Sequence, residues 1–327
     1  VQQDGGKATG AIVSSGGEQQ VSHVAFGTIV SNGGIELVEG GGSGFGTIVM
    51  SGGTLELDGG ATASGTTMES GGTLEIASGY VLSGYAVPSG TNLVVALGGT
   101  ASASTVSSGG FERIESGGNA FGTIVSSGGI LELDGGANTS GTKIETGGTL
   151  EIASGYSLSG YAVTSGLNLV VGAGGTAIQT TVNSGGYELA AAGGTVNGAT
   201  ISGGTLEFAG GSNPVNSTMT FAGGGTLKLD QSMAFGAATI AGFGVPDHLD
   251  LADIAFGSST TLSFAEAGSN SSGTLTVSDG THTANLLLLG QYTAGQFTMA
   301  SDGAGGSLIS DPPVPMSMAS TAIAPHT

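Results

Sequence analysis

Phe45–Gly60 reads FGTIVMSGGTLELDGG, and 76 residues later Phe121–Gly136 reads FGTIVSSGGILELDGG. Gly71–Val87 (GGTLEIASGYVLSGYAV) returns at the same offset as Gly147–Val163 (GGTLEIASGYSLSGYAV). Within these blocks a shorter period runs. Paired glycines stand at Gly52-Gly53, Gly71-Gly72, Gly109-Gly110, Gly128-Gly129, Gly147-Gly148 and Gly185-Gly186, spaced by 19 residues or a multiple of 19. The two missing slots hold Ser89-Gly90 and Ser165-Gly166, and a second glycine series, including Gly59-Gly60 and Gly135-Gly136, lies half a period away. Each unit therefore carries two turn signals separated by short β-type segments, and four units form the larger block.

Apolar residues keep the same period. Steps of 19 from Val49 reach Met68, Val87, Val106, Val125, Ile144, Val163, Val182 and Ile201; steps from Leu57 reach Ile76, Val95, Ile114, Leu133, Ile152 and Val171. Aliphatic residues at a fixed period mean side chains stacked in columns. A parallel β-solenoid provides this, each coil lying on the last at the strand spacing of about 4.8 Å. Alternation in Leu55-Glu56-Leu57-Asp58 turns leucines inward and acids outward. The expectation is an all-β chain of about eleven 19-residue coils over residues 1–211, about 50 Å of rod. After Gly194 the register weakens, and residues 212–310 read as a different, β-rich C-terminal cap, since an open solenoid end invites aggregation. Residues 311–327, rich in Pro, Ser, Ala and Thr, read as a flexible tail.

Composition agrees. Of 327 residues 67 are glycine, only 9% are charged, and there is no Trp or Cys. Glycine at this density disfavours helices. Collagen is excluded because glycine is not at every third position and Pro totals 7. The run at Leu286–Leu289 is far shorter than the ~20 apolar residues of a spanning helix. Four basic residues (Lys7, Arg113, Lys143, Lys228) face 24 acidic ones, a formal net charge of -20. That balance excludes nucleic acid and anionic membrane surfaces as partners. The start at Val1 reads as a processed chain or a fragment.

The unit x-G-T-x-V-x-S-G-G-x-x-x-[VIL]-x-x-G-G, standing here as Gly46–Gly60, Ser104–Gly118, Gly122–Gly136 and Thr180–Gly194, resembles the glycine-rich repeat of AIDA-type autotransporter passengers. The resemblance covers about residues 1–211. It implies a right-handed β-helix displayed at the outer surface of a Gram-negative bacterium, serving as an adhesin or its stalk. Some members self-associate, and some carry sugars on Ser or Thr. Residues 247–310 are similar to end segments of large secreted bacterial repeat proteins. No translocator barrel is visible up to Thr327, so it lies beyond that residue or the chain leaves the cell by another route.

Right-handed β-helices also host polysaccharide lyases and hydrolases. The scattered cations argue against a lyase. A hydrolase needs two carboxylates about 5–9.5 Å apart across one sugar bond. Glu39, Glu56, Asp58 and Glu75 form one outward acidic cluster, and the block offset repeats it as Glu115, Glu132, Asp134 and Glu151. A duplicated cluster reads as repeat decoration rather than an active site. Its main reading is a solvated, charged face; the other is a Ca²⁺ site relieving the repulsion of stacked carboxylates. Asp247, Asp250 and Asp253 read as cap surface, with a Ca²⁺ loop as the alternative, and His23, His248, His282 and His326 lack zinc-ligand spacing. Tyr80 and Tyr156, and likewise Tyr85 and Tyr161, recur with the block. They read as packing within columns, with contact to a partner as the alternative.

The sequence thus points to a non-enzymatic surface adhesin or stalk without a required cofactor. It would act through multivalent contacts with host or neighbouring-cell glycans or proteins, or with itself as a homo-oligomer or filament. The alternatives are a self-assembling matrix protein and a β-helical polysaccharide-processing enzyme.

Overall fold

The computed structural model describes residues 2–4, 6–236 and 238–311. The expected tail at 311–327 lies outside these residues, Asp311 excepted. Each 19-residue unit makes one turn of three strands, as in Thr54–Leu57, Thr62–Ser64 and Thr67–Met68. The four-residue strands stack into one front sheet of 16 strands, parallel in all but the last two. Register is strict: Leu55 lies beside Leu74 and Leu57 beside Ile76. The stack is an all-β parallel solenoid of about 13 turns, close to the eleven expected. The first two repeats are shorter, 17 residues each, with Gln2 beside Gln19 and Gln19 beside Glu36.

The interior is a set of aliphatic columns. Leu55, Leu93, Leu131 and Leu169 face inward from the front sheet, and Val49, Val87, Val125 and Val163 face them from the back; all are fully buried. The two glycines of a corner do different work. Gly128 takes φ +75°, open to glycine at little cost. Gly129 approaches the coil before so closely that a Cβ there would lie 2.6 Å from the Val106 carbonyl oxygen. At the opposite corner, a Cβ on Gly118 would lie 2.1 Å from the Val95 carbonyl oxygen. Glycine at these corners lets one coil sit on the next at hydrogen-bonding distance.

The back of the rod is not continuous. Its three-residue strands form one sheet up to Thr62–Ser64, a second from Val81–Ser83 to Asn138–Ser140, and a third from Ser157–Ser159 onward; the two-residue strands break at the same places. Both breaks lie under the intact front sheet, 76 residues apart. The coils above them carry side chains where closed coils have close-approach glycines. Tyr80 and Tyr156 occupy the corner position of Gly99, Gly118, Gly175 and Gly194, and Thr91 and Leu167 that of Gly110, Gly129 and Gly186. Leu82 and Tyr85 add bulk in columns that hold Ala101 and Ser104 one coil on. Ala61 and Ala137 also fill the first corner position, but a methyl is accommodated there: Thr62 N still donates to Gly42 O, at 3.0 Å. Met68 and Ile144, beside the breaks, are consequently only partly buried, unlike the valines of their column.

The boundary expected at residue 211 falls inside the stack. Gly225–Leu229 and Asp247–Leu251 continue the parallel front sheet, with Leu206, Leu227 and Leu249 side by side. The paired glycines fade there because these coils are longer: Thr205 lies beside Thr226, and Thr226 beside His248. Antiparallel strands then close the end. Ser307–Ser310 pairs with Asp247–Leu251, and Thr298–Ser301 with Ser307–Ser310. On the back, Thr261–Glu266 and Ser272–Ser278 extend the sheet from Thr283–Leu289. Phe243, Phe264, Tyr292 and Phe297 pack together beneath them, with ring centroids 5.4–6.3 Å apart.

The close approach at Gly129 is testable. Gly129→Leu forces a side chain against the Val106 carbonyl and is expected to cost about 1–3 kcal/mol, as overpacking does. Thermal melting should show the loss, and amide exchange at Ile124 and Ser126 should accelerate. Unchanged melting and exchange would contradict the close-packing account.

Candidate functional site

The outward column of the front sheet carries the acids singled out from sequence. Leu37, Glu56, Glu75, Val94, Arg113, Glu132 and Glu151 are successive lateral neighbours. The two clusters are not equivalent. In the first, Glu56 and Glu75 stand side by side, and Asp58 Oδ1 is enclosed with no hydrogen-bond partner among the described residues. Burial, reinforced by the charges of Glu56 and Glu115, raises Glu75 from 4.5 to about 7. Burial also raises Glu56, with Asp58 and Glu18 adding to it. Glu39 lies at the corner, partly exposed.

The second cluster gathers around Arg113, which takes the place of Leu37 one block earlier. Its Nε and Nη2 donate to Asp134 Oδ2 at 2.9 and 2.6 Å, Nε reaches Glu132 Oε1 at 3.0 Å, and Nη1 lies 3.8 Å from Glu115 Oε1. Burial still raises Glu132, the arginine opposing it, and burial raises Glu151. The other cations also have partners. Lys228 bonds Glu207 at 2.8 Å, Lys143 bonds Glu145 at 3.0 Å, and Lys7 sits 4.8 Å above the Phe26 ring. Among the described residues, no three Asp, Glu or His side chains converge as a metal site would require.

Another set of acids escaped the sequence reading. Glu36, Glu112 and Glu188 point into the solenoid and are completely buried, one per 76-residue block. They occupy the inward leucine column: Glu36 lies beside Leu55, and Leu93 beside Glu112. Each faces a hydroxyl eight residues upstream, at Thr28, Ser104 and Thr180. Ser104 Oγ lies 2.9 and 2.8 Å from the two Glu112 oxygens and 3.0 Å from Thr123 Oγ1. With Ser104 donating to the carboxylate, Thr123 donates to Ser104. At Glu188 Ala199 stands where the second hydroxyl would be; both carboxyl oxygens of Glu188, and both of Glu36, lack a hydrogen-bond partner among the described residues. Burial raises Glu112 and Glu188 to about 7, with Ser104 and Thr180 opposing it. Burial raises Glu36 too, with Thr47 and Thr28 opposing. The signal was present: alternation in Ile35-Glu36-Leu37-Val38 turns Glu36 inward with Val38.

The cap aspartates do not converge. Asp247 points inward and accepts from Gly244 N at 2.9 Å, Asp250 points outward, and Asp253 accepts from Ser232 N and Oγ. His248 Nδ1 lies 2.8 Å from Ser310 Oγ and His282 Nδ1 3.4 Å from Asp279, while His326 lies outside the described residues.

No family model matches the chain, and no curated protein matches it. Among solved structures it is similar to the crystal structure of a TibC-catalysed hyper-glycosylated TibA55-350 fragment. Identity is 28%, over 75% of this chain and 92% of that one, with a TM-score of 0.40. So loose an overlay carries no argument, and the fold and function rest on the geometry above. No helix among the described residues is long and apolar enough to cross a membrane.

The interior glutamates and the half-buried Glu75 make stability depend on pH. A carboxyl raised in the folded state contributes stability that is complete below its unfolded value and lost as pH rises through the folded one. For Glu75, Glu112 and Glu188 that window runs from 4.5 to about 7. The melting temperature is therefore expected to fall between about pH 5 and about pH 8. Glu112→Gln, which stays neutral, should flatten part of that fall. A melting temperature that rises over the interval would contradict the assignment.

Proposed function

We propose that this chain is a non-catalytic β-solenoid that acts as an adhesin, or as its stalk, at the outer surface of a Gram-negative bacterium. The observation that carries this reading is the rod itself: about 13 turns present the same small polar corners in straight columns. Asn32, Ser51, Ser70, Ser89, Ser108, Ser127, Thr146, Ser165 and Ser184 stand one above another, all exposed. Weak contacts repeated at one strand spacing add through effective concentration. The cell-surface location draws on the repeat resemblance. The absence of catalysis draws on the distribution of the acids: those inside are sealed, and those outside are spread along a flat sheet or paired with arginine. The partner is a glycan or protein of an apposed surface.

A second reading, self-association into a matrix or filament, has an observation of its own. Near the N-terminal end the Phe26 and Phe45 rings stack 5.2 Å apart. Ile48 and Met50 are exposed on the coil of Phe45, and Ile12 on the coil before that of Phe26. This apolar strip suits lateral contact between copies.

The block period gives a clean test. Deleting residues 54–129 removes one 76-residue block and joins Gly53 to Ile130, preserving the corner sequence. Adhesion of cells displaying the shortened rod is expected to fall partially, roughly in proportion to the coils lost. Complete loss with intact folding would point to a single receptor site and against multivalency. Sedimentation velocity of the purified chain separates the second reading: an elongated monomer at every concentration rejects self-association, and growth abolished by EDTA would assign it to cations.

A further inference from the structure

The two breaks in the back of the solenoid leave backbone groups without partners. In closed coils, Thr100 N donates to Tyr80 O, Gly84 N to Ser102 O and Thr105 N to Tyr85 O, at 2.8–2.9 Å. Across the first break the equivalent bonds, from Val81 N, Gly65 N and Ala86 N to Ala61 O, Ser83 O and Thr66 O, are missing among the described residues. Across the second, those from Ser157 N, Gly141 N and Ala162 N are missing in the same way. Most Cα–Cα separations between Thr62–Ser64 and Val81–Ser83 exceed 8 Å. Neighbouring strands lie about 4.8 Å apart, so one intervening strand needs a gap of about 9.6 Å. Each break is an opening wider than one strand spacing, a slot with short, open β edges as its lips and coils still bonded at its ends, as from Gly59 N to Ser78 O.

The floor of the first slot is apolar. A cavity of about 180 Å³ opens between Leu57, Met68, Leu74, Leu82, Tyr80 and Tyr85. Its size compares with an engineered cavity of about 150 Å³ that holds benzene, so a leucine or phenylalanine side chain fits. Thr66 Oγ1 in its wall is enclosed and has no hydrogen-bond partner among the described residues, and neither has Thr142 Oγ1 at the second break. The second slot has Leu133, Ile144, Leu150, Leu158, Tyr156 and Tyr161 in the equivalent places.

The geometry points to an extended peptide as the occupant of each slot, added as a strand between the open lips with one large apolar side chain seated on the floor. The lips offer what a peptide backbone needs: alternating N–H and C=O groups in a parallel frame. The floor offers one apolar pocket for a side chain that points inward from the added strand. The chain's net charge of -20 favours neutral or basic peptides over acidic ones. Two slots one block apart, about 19 Å along the rod, would hold two segments of one partner and gain by avidity. This site goes beyond the surface-display reading, because it belongs to the purified chain in solution.

The probe is the synthetic peptide Lys-Thr-Val-Thr-Leu-Thr-Val-Lys, added in excess and followed in two ways. Four of the protein's 6 tyrosines line the slots and it has no Trp, so intrinsic tyrosine emission reports occupancy. Residue-resolved amide exchange reports pairing. The expected result is two peptides per chain, with exchange slowed about tenfold at Gly65, Val81, Ala86, Gly141, Ser157 and Ala162 and unchanged at Gly84, Thr100 and Thr105. A variant that copies closed coils, Tyr80→Gly with Leu82→Ala, Tyr85→Ser and Thr91→Gly, should close the first slot and reduce the stoichiometry to one. The untouched second slot reports that this variant has folded. Absent protection at the six lip amides, or protection confined to the terminal edge Lys7–Thr9, would overturn the proposal. So would toluene changing the tyrosine emission while the peptide changes neither signal, which would make the slot a pocket for small apolar molecules.

Discussion

Each coil of this chain hangs on the coil before it by backbone hydrogen bonds, and those bonds form only where the corners let two coils approach. At Gly118 and Gly129 a Cβ would fall 2.1 and 2.6 Å from a carbonyl oxygen of the neighbouring coil. That steric limit favours glycine or, at the first corner, nothing larger than the methyl of Ala61 and Ala137, and the close stacking it permits aligns aliphatic residues into buried columns. The front sheet contributes two inward columns, as at Leu55 and Leu57, and the back strands face them.

Where the limit is relaxed, the consequence is local. Tyr80 with Thr91, and Tyr156 with Leu167, carry side chains at the corners that closed coils leave to glycine. The back strands part there, while the front sheet, with Leu55 beside Leu74 and Leu131 beside Leu150, runs on without interruption. A polar interior position is treated in the same local way. Glu36, Glu112 and Glu188 each replace one leucine in a column, and Thr28, Ser104 and Thr180 oppose them from the far wall. The block of four coils is therefore a structural unit, with one buried acid and at most one opening.

Much of this was legible in the residues. The glycine pairs gave the coil length, the columns from Val49 and Leu57 gave the inward face, and Leu55-Glu56-Leu57-Asp58 placed its acids outward as the structure has them. The reading stopped at Gly211 because it followed glycine pairs. The stack continues to Leu251 because inward alternation, at Leu206, Leu227 and Leu249, persists after the corners lengthen. The buried glutamates were missed because acids were read as surface, although alternation with Val38 and Ile114 turned them inward. The likeness of the two acidic clusters concealed a difference in charge: Arg113 neutralises one, and Leu37 stands in its place at the other. The repeated tyrosines were noticed and read as ordinary packing. What they displace, a close-approach glycine, emerges only when the coil beneath is in place.

The measurement that tests the stacking most directly uses the absence of cysteine. Spin labels on Ser51→Cys with Ser127→Cys, and on Ser51→Cys with Ser184→Cys, sit on one corner column, four and seven coils apart. Pulsed dipolar distances of about 19 and about 34 Å, a constant 4.8 Å per coil, are the expected result. Equal distances for the two pairs, or distances that do not scale with coil number, would contradict a continuous parallel stack.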